Sequence, residues 1–340
     1  MSNANNSDSD PQALAEKMTP EDAGRQPGDE LPFLFTPARY FSPLVISFPH
    51  VGLDWPKGLG PRPQVNFPRN ADYDVHRLYR NAARLGAATL RSRYTRLVID
   101  LNRPSNDVSR DIVPDHPSPA HREFIDLASS AAYRTGRPIR NRGVLWRHAV
   151  GNIPLFDTIS YEAFDLRLRE FYWPYHRALE TLLERRVQKF GYAILLDAHS
   201  MPGSVGEDLV LSTRDGTAAG SSIKELAVAA LQKADASNAN LRFRLDDPYR
   251  GGELIRSFGR PQLGYHALQL EVNRALYMDE NRLELWPLPR LGLQPERRAS
   301  SSNFDAQFPT RRPRLSALLR RVDKLISALA EPAPNSPVAR

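Results

Sequence analysis

The chain has 340 residues, 41% of them hydrophobic, enough for one large α/β domain or two modest ones around a substantial core. It has no cysteine, which excludes disulfides and thiolate metal sites, so any metal must be held by His, Asp, Glu or water from a stock of eight histidines. No run reaches the length of a membrane span and the N-terminus lacks a signal peptide's apolar stretch, so the sequence reads as a soluble cytoplasmic protein. The net charge of +7 is spread among acids without forming a basic stripe. That balance fits an arginine-rich enzyme for an acidic substrate, with neither nucleic acid nor membrane as partner.

In chain order, residues 1–30 are polar and read as a disordered tail. A single α/β domain over 31–330 follows, and 331–340 read as a flexible C-terminal tail. "PLVISFPH" is a first buried strand ending at His50, and the Pro-rich stretch from Trp55 to Asn70 is a loop. "YDVHRLYRNAARLG" has helical spacing and stops at Gly86. "TRLVIDLNRP" reads as a second buried strand, and the polar segment from Ser105 to about Asn141 as an excursion forming a lid or wall. The pattern from Ser160 to Gly191 is helical with a kink or break at Pro174. It leads into "AILLDAHSM", whose four apolar residues in a row indicate a strand covered on both faces.

Next come a helix, "SSIKELAVAALQKA", a short strand, "LRFRLD", the Gly251–Gly252 turn, a helix over Glu253 to Phe258 and the strand "HALQLEVNR". "PTRRPRLSALLRRVDKLISALAEP" reads as a packed C-terminal helix with a basic outer face. Strands and helices alternate throughout, so the fold class is α/β: a mostly parallel or mixed central sheet with helices on both faces.

Several strands end in polar, reactive residues: His50, the group Asp100, Asn102 and Arg103, the pair Asp197 and His199, and Glu271 with Asn273 and Arg274. Such endings in one sheet point to a shared cleft at its carboxyl edge. Two histidines from separate strands plus a carboxylate make the three-ligand set of a catalytic zinc site with a position left for water. His50 and His199 are the imidazoles. Asp72 is favoured as the carboxylate, with Asp54 and Asp74 open as alternatives. Asp197 shares a side with His199 and is placed to orient its ring, and His76, one helical turn beyond Asp72, is a ligand or a donor to one.

Glu271, a lone carboxylate ending an apolar strand, is the candidate general base, with a pKa raised by burial. Arg103, Arg250, Arg256 and Arg260 supply positive charge for a carboxylate-bearing substrate, Arg250 lying beside two glycines that permit close backbone approach.

Taken together, "SFPHVG", "DVHRLY", "RLVIDLNRP", "YWPYHRAL", "AILLDAHSM" and "YRGGELIRSFGRPQLGYHALQLEVNRALYMDE" resemble the N-formylglutamate amidohydrolases, or deformylases, in order from about residue 41 to 281. The resemblance implies hydrolysis of N-formyl-L-glutamate to formate and glutamate in histidine degradation, with a small N-acyl amino acid as partner. It also implies a fold similar to the zinc carboxypeptidases, of the phosphorylase/hydrolase-like type. Through that likeness His50 and His199 become metal ligands for Zn2+ or another divalent ion, Arg103 with Asn102 grips a substrate carboxylate, and Glu271 acts as general acid and base; Arg250 is a substrate-binding candidate on its own position beside the glycines. The His-x-x-Glu spacing of the carboxypeptidases is absent, since Leu53 stands three after His50. Where related sequences place a His and an Asp, "DYDVHRL" has Asp74 and His76 exchanged. The rivals are an enzyme for another N-acyl amino acid or peptide-like amide, and a non-catalytic binding module on the same fold.

Overall fold

The computed structural model describes residues 16–117, 142–232, 240–288 and 311–332. Its centre is a seven-stranded sheet of β1 (Phe33–Thr36), β2 (Leu44–Phe48), β3 (Ala88–Ser92), β4 (Ala193–Met201), β5 (Leu209–Ser212), β6 (Phe243–Leu245) and β7 (Tyr265–Asn273). The spatial order is β1-β3-β2-β4-β7-β5-β6. β3, β2, β4 and β7 run parallel, and β5 with β6 form a parallel pair set antiparallel to β7; β1 is antiparallel to β3. The expected mixed sheet is therefore present.

Alternation along the central strands sorts side chains onto two covered faces. Leu44, Ile46, Ile194, Leu196, Leu268 and Leu270 join one core with α3 (Ser221–Gln232) and α5 (Arg311–Ala330). Val45, Ala193, Leu195 and Ala267 join the other with α1 (Tyr161–Arg167), α2 (Trp173–Phe190) and α4 (Glu253–Phe258). Ser160 caps α1 by accepting from the Ala163 N–H, and Gly191 ends α2 in the left-handed conformation. Between α1 and α2 lies a π-helical turn, Leu168–Tyr172, which puts Pro174 in the first turn of α2, where a missing N–H costs least.

Three expectations are corrected. Residues 75–86 form a 3-10 helix, Val75–Tyr79, followed by turns, because Asp74 enters it at φ 56° without capping. Val75, Leu78, Tyr79 and Ala82 are buried, and that spacing fits tight turns as well as an α-helix. Residues 95–102 are turns and irregular chain, and the strand beside β2 is the preceding segment, Ala88–Ser92. Leu97, Val98 and Ile99 are buried nonetheless, and a short apolar run does not by itself choose between strand and packed loop.

Residues 16–30, expected in the tail, pack on α2. Both carboxylate oxygens of Glu16 accept from Arg186, at 2.9 and 2.8 Å, and Arg185 donates to Asp22. Residues 1–15 and 333–340 of the expected tails, and 118–141 of the expected lid, lie outside the described residues.

Candidate active site

The face covered by α1, α2 and α4 changes character toward the carboxyl ends of the strands. β4 reads Ala193, Leu195, Asp197, His199 along this face, and β7 reads Ala267, Gln269, Glu271, Asn273. His199 and Glu271 are direct neighbours across the two strands. The strands thus leave the apolar core and present a polar row to a cleft of about 250 Å³, a size that suits a small molecule.

His50 follows the end of β2, and its backbone carbonyl accepts from the Asp72 N–H at 2.9 Å, which brings the turn carrying Asp72 over the sheet edge. Asp72 Oδ2 then lies 2.8 Å from His199 Nδ1 and 3.6 Å from His50 Nδ1. Ligand atoms of His50, Asp72 and His199 all lie within 4.8 Å of one another, and all three residues are buried. The other nitrogen of each ring faces a carboxylate: His50 Nε2 is 2.7 Å from Asp100 Oδ1, and His199 Nε2 is 2.7 Å from Asp197 Oδ2. Both rings are therefore turned so that Nδ1 points at Asp72.

The carboxylates are held in turn. Asp100 accepts from Arg96, from the Trp146 indole N–H and from the Asn102 backbone N–H. Burial would push its carboxyl up, but the Arg96 charge and His50 hold it well below the usual carboxylate range. Burial opposes ionisation of Asp72 too and is outweighed by His199 and His50. Arg274 bonds Asp72 Oδ1 at 3.2 Å, the Ala71 carbonyl at 2.9 Å and Ser200 Oγ at 3.0 Å. His199 is pushed down by burial but held well above its ordinary pKa by Asp197 and Asp72.

This donor set fits a divalent cation. His50 Nδ1 is buried without a hydrogen-bond partner and faces a carboxylate too distant to bond it. Two imidazoles and one carboxylate, each oriented from behind, are ligands suited to zinc.

Glu271 is buried, and burial, with Asp72 and Asp197 nearby, raises its pKa to about 7 against the pull of His199 and Arg274. Gln269 Nε2 donates to Glu271 Oε1 at 3.0 Å while Gln269 Oε1 accepts from the Gly252 N–H at 2.8 Å. The glutamate is thereby tied to the loop before α4.

Asn102 and Arg103 line the cleft, with Arg69, Arg96, Arg142 and Arg274. Asn102 Oδ1 accepts from the Leu254 N–H at 2.7 Å, and its Nδ2 donates to Asp197 Oδ2 at 3.0 Å. Both halves of the amide are thus engaged with neighbouring residues of the site. Its Nδ2 also lies 3.0 Å from His199 Nε2, but a nitrogen that donates to Asp197 has no lone pair left to accept.

Other expected residues fall elsewhere. Arg250 is about half exposed, pairs with Asp215 at 3.2 Å and does not line the cleft. Arg256 pairs with Glu253, and Arg260 stacks on Tyr265 at the opposite, amino end of β7. His76 packs edge-on to Phe48, with Asp74 as its nearest carboxylate at 3.8 Å. Burial lowers its pKa to about 4, and it lies outside the cleft lining. Asp54 is mostly exposed beside Arg93, so of the three carboxylates only Asp72 joins the histidines.

Asp100, Gln269 and Arg274 hold the site without having been given that role from the sequence. Gln269 was within reach of the argument used for Asp197, since it too lies two residues before a reactive group on one strand.

Buried histidines backed by carboxylates, a third carboxylate between them and an adjacent glutamate of raised pKa form an arrangement suited to metal-assisted hydrolysis. Residues 42–278 match the family model described as N-formylglutamate amidohydrolase, and the chain belongs to that family. It is 32% identical over 247 residues to an N-formylglutamate deformylase of Pseudomonas aeruginosa, covering 70% of this chain and 83% of that protein. It is 29% identical over 243 residues to one of Pseudomonas putida, covering 70% and 82%. The fold is similar to the crystal structure of an N-formylglutamate amidohydrolase from Ralstonia eutropha JMP134. There the TM-score is 0.66 at 24% identity, over 88% of this chain and 97% of that one.

Proposed function

We propose that the protein hydrolyses the amide of N-formyl-L-glutamate, or of a closely related N-acyl amino acid, to the carboxylate and the free amino acid. The observation that carries this reading is the placement of Glu271 directly across from His199, beside the His50–Asp72–His199 group, in a cleft lined by arginines. The names of the two Pseudomonas relatives support the substrate.

His50, Asp72 and His199 would hold the cation, zinc being the proposed ion. When bound, it supplies Lewis acidity for the carbonyl and for water. Glu271, with a pKa near 7, takes a proton from the attacking water and returns it to the departing nitrogen as the C–N bond breaks. Gln269 keeps one oxygen of that carboxylate in place, and Asp100 and Asp197 fix the two rings. Arg103 meets a substrate carboxylate. The products are formate and glutamate.

The test is formate release by purified protein from N-formyl-L-glutamate, beside N-acetyl- and N-succinyl-L-glutamate and formylated neutral amino acids. Preference for the formyl glutamate is the expected result. Absence of turnover on every one of these amides by cation-loaded protein overturns the reading.

A further inference from the structure

Trp146 lies on the wall of the cleft with two guanidinium groups against its ring, Arg96 at 4.5 Å and Arg142 at 4.6 Å from the centroid. They are not equivalent. Arg96 is committed to Asp100, through Nε at 3.1 Å and Nη2 at 2.5 Å. Arg142 has no carboxylate partner among the described residues, although it is half-buried in a wall that already carries Arg96 and Arg103. Burial and the repulsion of those two arginines both act against its charge. A planar cation held on an aromatic ring among like charges, with no counter-ion among the described residues, is a receptor for an anion with two oxygens.

The backbone beneath it is fixed. The Val144 N–H donates to the Asp107 carbonyl at 2.9 Å, and the Val144 carbonyl accepts from the Asp100 N–H at 2.8 Å. At Gly143 a Cβ would stand 2.1 Å from the Asp107 carbonyl oxygen, so only glycine permits this approach. Trp146, the platform for Arg142, donates its indole N–H to Asp100, which holds His50. The arginine is thus tied to His50 through three contacts, Arg142 on Trp146, Trp146 to Asp100 and Asp100 to His50.

We propose that Arg142 is a specificity-determining residue that binds one carboxylate of a dicarboxylate substrate, so that the cleft selects dianionic over monoanionic amides. The inference rests on the proposed amidohydrolase function for its turnover assay, but its binding assay does not. The test measures kcat/KM of wild type, Arg142→Ala and Arg142→Lys on three amides. These are N-formyl-L-glutamate, N-formyl-L-glutamine without the side-chain carboxylate, and 4-formamidobutanoate without the α-carboxylate.

In Arg142→Ala the preference for the dianion over one of the two monoanions falls about 30-fold, mostly through KM, and that monoanion identifies the carboxylate gripped. Lysine, which keeps the charge but not the fork, restores only part of it. Equal loss on all three substrates, or no loss, overturns the proposal. Calorimetric binding of glutarate is measured in parallel, and it too weakens about 30-fold in Arg142→Ala. If no formyl amide is turned over while glutarate binding still depends on Arg142, the function is wrong and the anion site stands. If N-formyl-L-glutamate is turned over and neither measurement responds to Arg142→Ala, the function stands and this inference fails.

Discussion

Replacing Asp197 with Asn measures what the carboxylate behind His199 contributes. Asp197 is fully buried; Oδ2 takes the His199 ring at 2.7 Å and the Asn102 amide at 3.0 Å, and Oδ1 has no hydrogen-bond partner. Asparagine has the same shape, and its oxygen can still accept from His199. What disappears is the charge that makes the imidazole a stronger donor of its lone pair at Nδ1 and fixes the proton on Nε2. Losing such a partner weakens cation binding by about 10–100-fold, or about 1.4–2.7 kcal/mol. The assay is competition for zinc against a chromophoric chelator, with near-ultraviolet circular dichroism to establish that the variant is folded. Asp54→Asn, at a mostly exposed carboxylate outside the group, serves as control and keeps its affinity. A folded Asp197→Asn protein with zinc affinity within threefold of wild type refutes the reasoning.

The pH dependence of kcat/KM follows from Glu271. As a base it works ionised, so activity falls as pH falls through its pKa of about 7, and a divalent cation beside it shifts that acid limb downward. A limb lying above pH 7 in cation-loaded protein contradicts this. Gln269→Leu removes the donor to Glu271 Oε1 and the acceptor of the Gly252 N–H, so the limb moves to higher pH and kcat drops about tenfold, read from the same profile. Glu16→Ala strands the fully buried Arg186 and costs about 3 kcal/mol in urea unfolding. The double replacement Glu16→Leu with Arg186→Met recovers most of that, whereas equal loss in both proteins rules out the buried pair as the cause.

Where apolar periodicity and strand ends carried the signal, the sequence was readable. β2, β4, β7, α3 and α4 lie where expected, because buried parallel strands are continuous apolar runs and their polar ends stand out. His50, His199, Asp197 and Glu271 were recognisable for that reason. Asp72 stayed one of three carboxylates because its place depends on a turn strapped to the His50 carbonyl, a contact between separate segments.

Periodicity misassigned residues 95–102, since burial of Leu97, Val98 and Ile99 is achieved there by turns and irregular chain, while the alternating "ATLRS" of β3 went unread. Arg250 looked favourable beside its glycines, yet those glycines make room for neighbouring side chains. A Cβ at Gly252 would meet the Asn102 amide at 2.5 Å, and Arg250 itself turns to Asp215. The arginines facing the cleft come from distant loops, which no local pattern brings together.

The most direct test of the central claim uses Glu271→Gln. Bound zinc is counted by atomic absorption and formate release from N-formyl-L-glutamate is followed, in wild type and variant, before and after chelation and zinc restoration. Equal zinc in both proteins, wild-type turnover that chelation abolishes and zinc restores, and a variant slower by at least about 100-fold are expected. A Glu271→Gln protein that keeps wild-type turnover, or a wild type that turns over fully after its metal has been removed, contradicts the claim.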